Sequence, residues 1–280
     1  MDRRLTPIRN RTHPEETFML LGDLPWPDFA ARVRDDYTII PVGAVEPHGP
    51  HLPLASDTMI SEYFARRLAP ALGGYVTPSI GYGIATPPYR LGGDFPGVIN
   101  ISGATFMHLI TDVLSSLARY GARKYVIVNS AIDNVSFLCE VARLLRESVP
   151  DARVMVVNWW DVVGERFRDE LARETGVERR DDHHAAMVES SLVMHIAPDA
   201  VHPDRIPCLP ARADQREPRR MRYHVFPLPP DATTDSGIVY TARQASAELG
   251  ARVADRVTQK MADAVRLEFE TPPRRPGELL

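Results

Sequence analysis

The chain has 280 residues, of which 44% are hydrophobic and 25% charged, with a formal net charge of −4. This length and composition predict a globular protein with one large core. Its 33 basic residues are spread among 37 acidic ones rather than gathered in a stripe, which argues against nucleic-acid binding. No apolar run approaches the roughly 20 residues of a membrane span, and no apolar signal segment follows the basic N-terminus. Only two cysteines are present, Cys139 and Cys208, so we expect no disulfide framework and a cytoplasmic location.

Short apolar runs and helical periods alternate along the first 158 residues. The apolar runs predict buried parallel strands at 38–45, 75–80, 124–129 and 153–158. The helical periods predict helices at 59–72, 105–120 and 135–147. This alternation predicts an α/β protein of three layers, α/β/α, with a mainly parallel central sheet.

The second half of the chain is richer in proline, with dense stretches at 203–218 and 227–230. A last helix is predicted near 242–267. Its apolar residues recur at steps of four, at Leu249, Val253, Val257, Met261 and Val265. Neither a repeat nor a domain boundary is visible. We therefore predict a single domain over 1–280, with an N-terminal extension and first helix over about 1–36 and a flexible tail over about 271–280.

Two carboxylates and two imidazoles fall within residues 46–57, EPHGPHLPLASD, directly after the first predicted strand. Divalent metals bind this mixture of oxygen and nitrogen ligands. Glu46 and His48 are two apart and can face the same side of an extended segment, and Asp57 returns after a proline-rich turn. Loops at the carboxyl ends of parallel strands are also where α/β proteins place their chemistry. The alternative interpretation is a polar loop with a structural histidine, in which Asp57 caps the next helix.

The motif EPHGPHLPLASD resembles the signature of the creatininase family. The resemblance extends from about residue 38 to about residue 270 and follows ordered landmarks. These are GGDFPGVINISGATF (92–106), NSAIDN (129–134), NWWD (158–161), HHAAMVESS (183–191), HVFPLPPD (224–231) and ARQAS (242–246). The chain looks closer to the amidohydrolase that gives the family its name than to the distant branches. The resemblance implies a creatininase-like fold and hexamers built as trimers of dimers.

The resemblance also implies a pair of metal ions bridged by Asp57, with Glu46 as a ligand of one and His48 as a ligand of the other. His51 is expected to shape the loop. Either one or two divalent ions per subunit would be held, and zinc, manganese and iron all tolerate these donors.

The family's remaining metal ligands lie in a motif of the form NGHYEN, which reads NSAIDN here. Ala131 stands where the ligand histidine belongs, and a methyl group has no lone pair to offer. Asp133 occupies the position of the motif's glutamate. It keeps the negative charge, but its side chain is one methylene shorter. One metal site therefore loses its only nitrogen ligand, whereas the site of His48, Asp57 and Asp133 keeps three candidates.

The motif HHAAMVESS carries the predicted catalytic residues, His184 and Glu189. By resemblance His184 moves the proton during ring opening, a role that suits a side chain with a pKa near neutrality. Glu189 could orient His184, support a ligand or bind metal directly. His183 is interpreted as a solvent-facing neighbour, although it could fill the vacancy at Ala131.

Four residues are candidates for substrate binding. Trp160 matches a pocket tryptophan of the family, and Arg180 stands where a second one belongs. An arginine there would favour an anionic substrate; otherwise it is a solvated loop residue. Gly92 and Gly93 belong to a glycine-rich loop that the family places beside its active site, although a plain tight turn would equally use glycine.

These residues together predict a metal-dependent amidohydrolase that cleaves an amide or cyclic amide bond in a small molecule other than creatinine. A metal-bound water would attack and His184 would move the proton. Two alternatives stay open. One is a non-hydrolytic enzyme that forms an amide, cyclises or isomerises on the same scaffold. The other is a catalytically silent homologue with a binding role. No nucleic-acid or membrane partner is expected.

Overall fold

The computed structural model describes residues 18–84, 95–208, 236–239 and 241–271. Within these ranges five parallel strands form one sheet in the order β1-β3-β2-β4-β5. They are β1 (Met19–Leu20), β2 (Tyr37–Val42), β3 (Gly74–Val76), β4 (Lys124–Asn129) and β5 (Arg153–Asn158). The four predicted strands are confirmed. The prediction missed β1, because two residues are too short to show a period.

The described helices alternate with these strands and then follow them. They are α1 (Trp26–Arg32), α2 (Ser56–Leu72), α3 (Gly103–Arg119), α4 (Val135–Ser148), α5 (Trp159–Val162), α6 (Glu165–Thr175), α7 (Met187–Ile196) and α8 (Ala247–Glu270). All five residues of the apolar stripe predicted for the last helix are buried in α8. The helices α5 to α7 were not predicted.

The sheet separates two apolar clusters, as the pleat of β2 illustrates. Consecutive side chains of a strand point to opposite faces, and Ile39 and Ile40 belong to different clusters. The cluster of Ile39 also contains buried side chains of α2, α7 and α8, whereas the cluster of Ile40 contains those of α3 and α4. The predicted three-layer α/β/α architecture is therefore confirmed.

The register of the sheet aligns the carboxyl ends of three neighbouring strands, β2, β4 and β5. Val42 of β2 lies opposite Asn129 of β4, which in turn lies opposite Asn158 of β5. The segments that follow these strands carry half of the predicted site residues, so the fold brings these residues to one edge of the sheet. At Gly43 an added Cβ atom would lie 2.5 Å from the Thr58 backbone nitrogen. Glycine thus lets the first turn of α2 sit directly over the end of β2.

None of the described helices combines the length and the apolar character that crossing a membrane requires.

Candidate metal centre

Four ionisable side chains that are usually exposed lie buried together at the carboxyl edge of the sheet. Glu46, His48, Asp57 and Glu189 are each 6% exposed or less. His184 lies beside them with 13% of its side chain exposed. Charged groups enter a protein interior when they pair with one another or bind a metal. The cluster therefore needs an explanation from its geometry.

The distances within this cluster match a shared cation better than direct hydrogen bonds. His48 Nε2 lies 3.3 Å from Asp57 Oδ1 and 3.7 Å from Glu189 Oε1. His184 Nδ1 lies 3.8 Å from Glu46 Oε1 and 3.9 Å from Glu189 Oε2. Hydrogen bonds of this kind are about 2.7–3.2 Å long. Ligands of a tetrahedral zinc ion with bonds of about 2.1 Å lie about 3.4 Å apart.

Two overlapping groups of three residues place one ligand atom each within 4.8 Å of one another. The first group contains Glu46, His48 and His184, and the second contains His48, Asp57 and Glu189. Residues 46–57 therefore supply three of the five residues. His184 comes from the segment before α7, and Glu189 comes from the first turn of α7.

Backbone carbonyl groups fix the tautomer of both histidines. His48 Nδ1 lies 3.1 Å from the carbonyl oxygen of Glu46, and His184 Nε2 lies 2.7 Å from that of Pro47. A carbonyl oxygen only accepts, so we assign a proton to each of these nitrogens. When the rings are neutral, as they are when they bind a metal, the other nitrogen of each ring directs its lone pair toward the carboxylates. Metal-binding histidines are commonly oriented in this way by a hydrogen bond from the second nitrogen.

Two atoms at the centre of the cluster are buried without a hydrogen-bond partner, His48 Nε2 and Asp57 Oδ2. An unpaired buried acceptor is energetically costly, and a divalent cation would satisfy both atoms. The donor set, the spacing and these two atoms thus fit a divalent metal ion. His48, Asp57, Glu46, Glu189 and His184 are the residues that could hold it.

The electrostatics of the cluster are dominated by burial and by mutual attraction. Burial opposes a charge on His48, but the carboxylates of Asp57 and Glu189 outweigh it and raise the pKa of His48 well above its ordinary value. Burial likewise works against a charge on Glu189, yet the combined attraction of His48 and His184 lowers the pKa of Glu189. Burial raises the pKa of Asp57 despite the opposing effect of His48. In the absence of a metal, a protonated His48 thus supplies positive charge to the acids.

Asp57 lies in the first turn of α2 and does not cap the helix. The residue before the helix is Ala55, and no side chain there accepts a hydrogen bond from the first turn. The interpretation of Asp57 as a helix cap is therefore wrong. Its carboxylate instead faces His48, at the positive end of the helix dipole, where negative charge is favoured.

A tight turn at Ala185 brings His184 and Glu189 to the same place. Ala185 has a φ of +51°, the left-handed conformation that an L-residue other than glycine rarely adopts. Its backbone N–H donates to Glu189 Oε2 over 2.6 Å. The backbone N–H of Val239 donates to the His184 carbonyl oxygen over 2.9 Å. Hydrogen bonds therefore hold this turn from two sides.

His51 connects loop 46–57 to α7 rather than joining the ligand groups. Its Nε2 lies 2.8 Å from Ser190 Oγ, which donates to the Ala185 carbonyl oxygen over 3.0 Å. Burial, with a contribution from the charge of His48, lowers the pKa of His51 to about 4, so the ring is neutral at pH 7. These contacts support the expectation that His51 shapes the loop. The part played by Ser190 was missed, because no local sequence pattern pairs it with His51.

The turn after β4 contains amides that are engaged in hydrogen bonds. Asn129 Nδ2 donates to the Ala131 carbonyl oxygen over 2.8 Å and to Asn158 Oδ1 over 2.9 Å, and Asn134 Nδ2 donates to the Gly43 carbonyl oxygen over 3.0 Å. Ala131 is buried and presents only a methyl group.

Two residues of the sequence prediction lie outside both ligand groups. Asp133 is half-buried and, among the described residues, belongs to neither group, so its role as a metal ligand stays a prediction. His183 is exposed and likewise belongs to neither group. Its sequence interpretation as a solvent-facing neighbour agrees with this exposure.

Comparison with known proteins settles the family. The model of the creatininase family, described as creatinine amidohydrolase, matches residues 22–265. This chain belongs to the creatininase family. Creatinine amidohydrolase of Pseudomonas putida is 33% identical over 259 residues, which cover 90% of this chain and 97% of that protein. A mycofactocin precursor peptide peptidase of Mycolicibacterium smegmatis is 28% identical over 234 residues, covering 81% of this chain and 83% of that protein.

A solved structure of creatininase with manganese has a TM-score of 0.80 against this chain, at 33% identity. The match covers 91% of this chain and all of the creatininase chain. The predicted creatininase-like fold is therefore confirmed, as is the family assignment. Membership also confirms the predicted enzyme class, since members of the creatininase family are amidohydrolases acting on carbon–nitrogen bonds.

The candidate substrate residues of this creatininase-family chain are described only in part. Trp160 lies in α5, directly after β5 and thus at the same sheet edge as the cluster. It is half-buried, and its ring meets Trp159 edge-on with the ring centres 6.1 Å apart. Gly92, Gly93 and the side chain of Arg180 lie outside the described residues.

Proposed function

We propose that this chain is a metal-dependent amidohydrolase that cleaves an amide or cyclic amide bond in a small molecule other than creatinine. The observation that carries the proposal is the buried cluster in which two histidines, each held by a backbone carbonyl group, direct their free nitrogens at three carboxylates. Two atoms of this cluster, His48 Nε2 and Asp57 Oδ2, are buried without a hydrogen-bond partner, and a divalent cation between them would offset the cost of burying the acids together.

Glu46, His48 and Asp57 are the residues that would hold the ion, because they are the most deeply buried members of the cluster. When bound, a divalent metal supplies a nucleophilic water at neutral pH and polarises the carbonyl group under attack. Oxygen and imidazole donors suit zinc, manganese and iron. The hydrogen bond between the His48 ring and the Glu46 carbonyl oxygen would keep the ring oriented for binding.

Glu189 and His184 are the candidates for proton transfer. Glu189 presents a carboxylate at the cluster, with one oxygen held by the Ala185 N–H and the other facing His48, and it can accept a proton from the attacking water. A glutamate plays this part beside the metal of many hydrolases. His184 lies at the more exposed side of the cluster, where it could deliver a proton to the leaving nitrogen.

The proposed preference for a substrate other than creatinine rests on the turn after β4 and on the relatives. Ile132 in that turn is 61% exposed, where the family motif has an aromatic residue. One relative is named for creatinine and another for a peptide, so family membership leaves the substrate open. Trp160 would pack against the substrate, and Arg180 would favour a substrate that carries a carboxylate.

The test is a hydrolysis assay of the full chain on a panel of small cyclic and open-chain amides, creatinine included, with Zn²⁺ or Mn²⁺ added. We expect amine and carboxylate release from at least one amide, loss of that activity with a chelator, recovery on adding metal, and no turnover of creatinine. His48→Ala should be inactive, with His183→Ala as the matched control. Activity that persists after complete metal removal would contradict the proposal. Metal binding without hydrolysis of any amide would favour the amide-forming or isomerising alternative.

A further inference from the structure

The turn after β4 offers no nitrogen donor to the cluster. Ala131 presents a methyl group there, and the side-chain nitrogens of Asn129 and Asn134 are engaged in hydrogen bonds. The imidazoles that belong to the ligand groups of the described chain are those of His48 and His184. Any second nitrogen ligand among the described residues must therefore come from His184.

The ring of His184 is oriented as a ligand would be. Its Nε2–H donates to the Pro47 carbonyl oxygen over 2.7 Å, so Nδ1 carries the lone pair. That lone pair faces Glu46 Oε1 at 3.8 Å and Glu189 Oε2 at 3.9 Å, which are also lone-pair donors. Both oxygens are too far from Nδ1 for a hydrogen bond. Nδ1 and the Glu46 carboxylate are close enough to bind one shared ion.

The backbone around His184 is fixed in advance. The left-handed residue Ala185 follows His184, and the His184 carbonyl oxygen accepts a hydrogen bond from the Val239 backbone N–H. The His184 and His48 rings pack with their centres 4.5 Å apart. A side chain that is anchored at its backbone, at Nε2 and on one ring face has little freedom to carry a proton between two positions. It is well suited to bind an ion with the remaining nitrogen.

We infer that His184 is a metal ligand of this chain, bound through Nδ1 beside Glu46, and that it supplies the nitrogen that the turn after β4 does not. This inference rests on the proposed metal dependence and changes the role of His184, from proton transfer to metal binding. Nδ1 is the only free nitrogen of the ring, so metal binding excludes it from proton transfer, which then falls to Glu189.

X-ray absorption spectroscopy of the full chain loaded with Zn²⁺ tests this directly, because it counts imidazole ligands without using activity. We expect two imidazoles in the native protein and one in His184→Ala. The Zn²⁺ dissociation constant, measured by competition with a chelator, should rise by more than about 100-fold, beyond the usual effect of losing a residue that only orients a ligand. His183→Ala is the matched control and should leave both readouts unchanged.

A second variant separates metal binding from the hydrogen bond to Pro47. In His184→Gln an amide can still donate to the Pro47 carbonyl oxygen but offers no imidazole, so we expect the same loss of one imidazole. A native protein that binds Zn²⁺ through a single imidazole would overturn this inference and leave the proposed function standing. A native protein that binds no divalent metal would overturn both.

Discussion

Two neighbouring turns at the same sheet edge differ in how they bury polar groups. The turn after β2, residues 46–57, buries acids and imidazoles and leaves His48 Nε2 and Asp57 Oδ2 without partners. The turn after β4, residues 129–134, buries amides that bond to one another and to nearby carbonyl groups. A position at the carboxyl edge therefore does not make a ligand. In the turn after β2 the atoms without a partner belong to imidazoles and a carboxylate, which bind metals. In the turn after β4 the amides are paired and the buried atom without a partner is a hydroxyl oxygen, that of Ser130.

The largest expected effect is on Zn²⁺ affinity, which should depend strongly on Glu189 and little on Asp133. Glu189→Gln keeps an oxygen that can accept from the Ala185 N–H but removes the charge that faces His48, so we expect the Zn²⁺ affinity to fall by about 100-fold or more. Asp133→Asn should change it by less than about threefold, because Asp133 lies outside both ligand groups of the described residues. Chelator competition measures both.

The opposite order of effects would contradict this account. If Asp133→Asn loses the metal and Glu189→Gln keeps it, the turn after β4 still supplies a ligand, as the sequence alone predicts.

A second prediction concerns the stability of the amide turn. Asn134 accepts from the Ile84 backbone N–H and donates to Gly43 and Asn129, so Asn134→Ala leaves several buried groups unpaired. We expect the free energy of unfolding to fall by about 2–3 kcal/mol. Asn158→Ala, at a less buried position of the same network, should lower it by about 1 kcal/mol.

Denaturant titration of the metal-free protein measures both values. Equal effects of the two substitutions would show that the buried network does not hold this turn.

The smallest effect is expected at the strained turn. Ala185→Gly removes the steric penalty of a left-handed alanine, so the free energy of unfolding should rise by about 0.5–1 kcal/mol. The looser turn should also weaken Zn²⁺ binding, by less than about tenfold. Ala186→Gly is the control, because Ala186 has an extended backbone and should only lose stability. A stability loss in Ala185→Gly would show that the turn is not strained.

The fold could be predicted from the sequence wherever the pattern has a period. The strands β2 to β5 are short apolar runs, and α8 repeats its apolar residues every four positions. The helix α7 was missed because seven consecutive residues, 187–193, are buried, so no polar face reveals the helical period. The helix α6 was missed for the opposite reason, since only Leu171 is buried.

The site was predictable where its residues are close in sequence. Glu46, His48 and Asp57 are grouped by spacing alone, and the structure brings them together. The contacts of His184 and Glu189 with these residues depend on the turn at Ala185. Alanine rarely adopts the left-handed conformation, so its presence in the sequence does not predict this turn. Hydrogen bonds to backbone carbonyl groups, which set both tautomers, also lie beyond what a sequence pattern can show.

The zinc content per chain, measured by elemental analysis after loading and desalting, tests the central claim most directly. Asp57 is 1% exposed and has an unpaired oxygen at the centre of the cluster, so Asp57→Asn should remove the binding site while preserving the shape of the side chain. We predict about one Zn²⁺ per native chain and almost none in Asp57→Asn, with unchanged circular dichroism. A loaded native chain without zinc, or equal zinc in both proteins, would contradict the account.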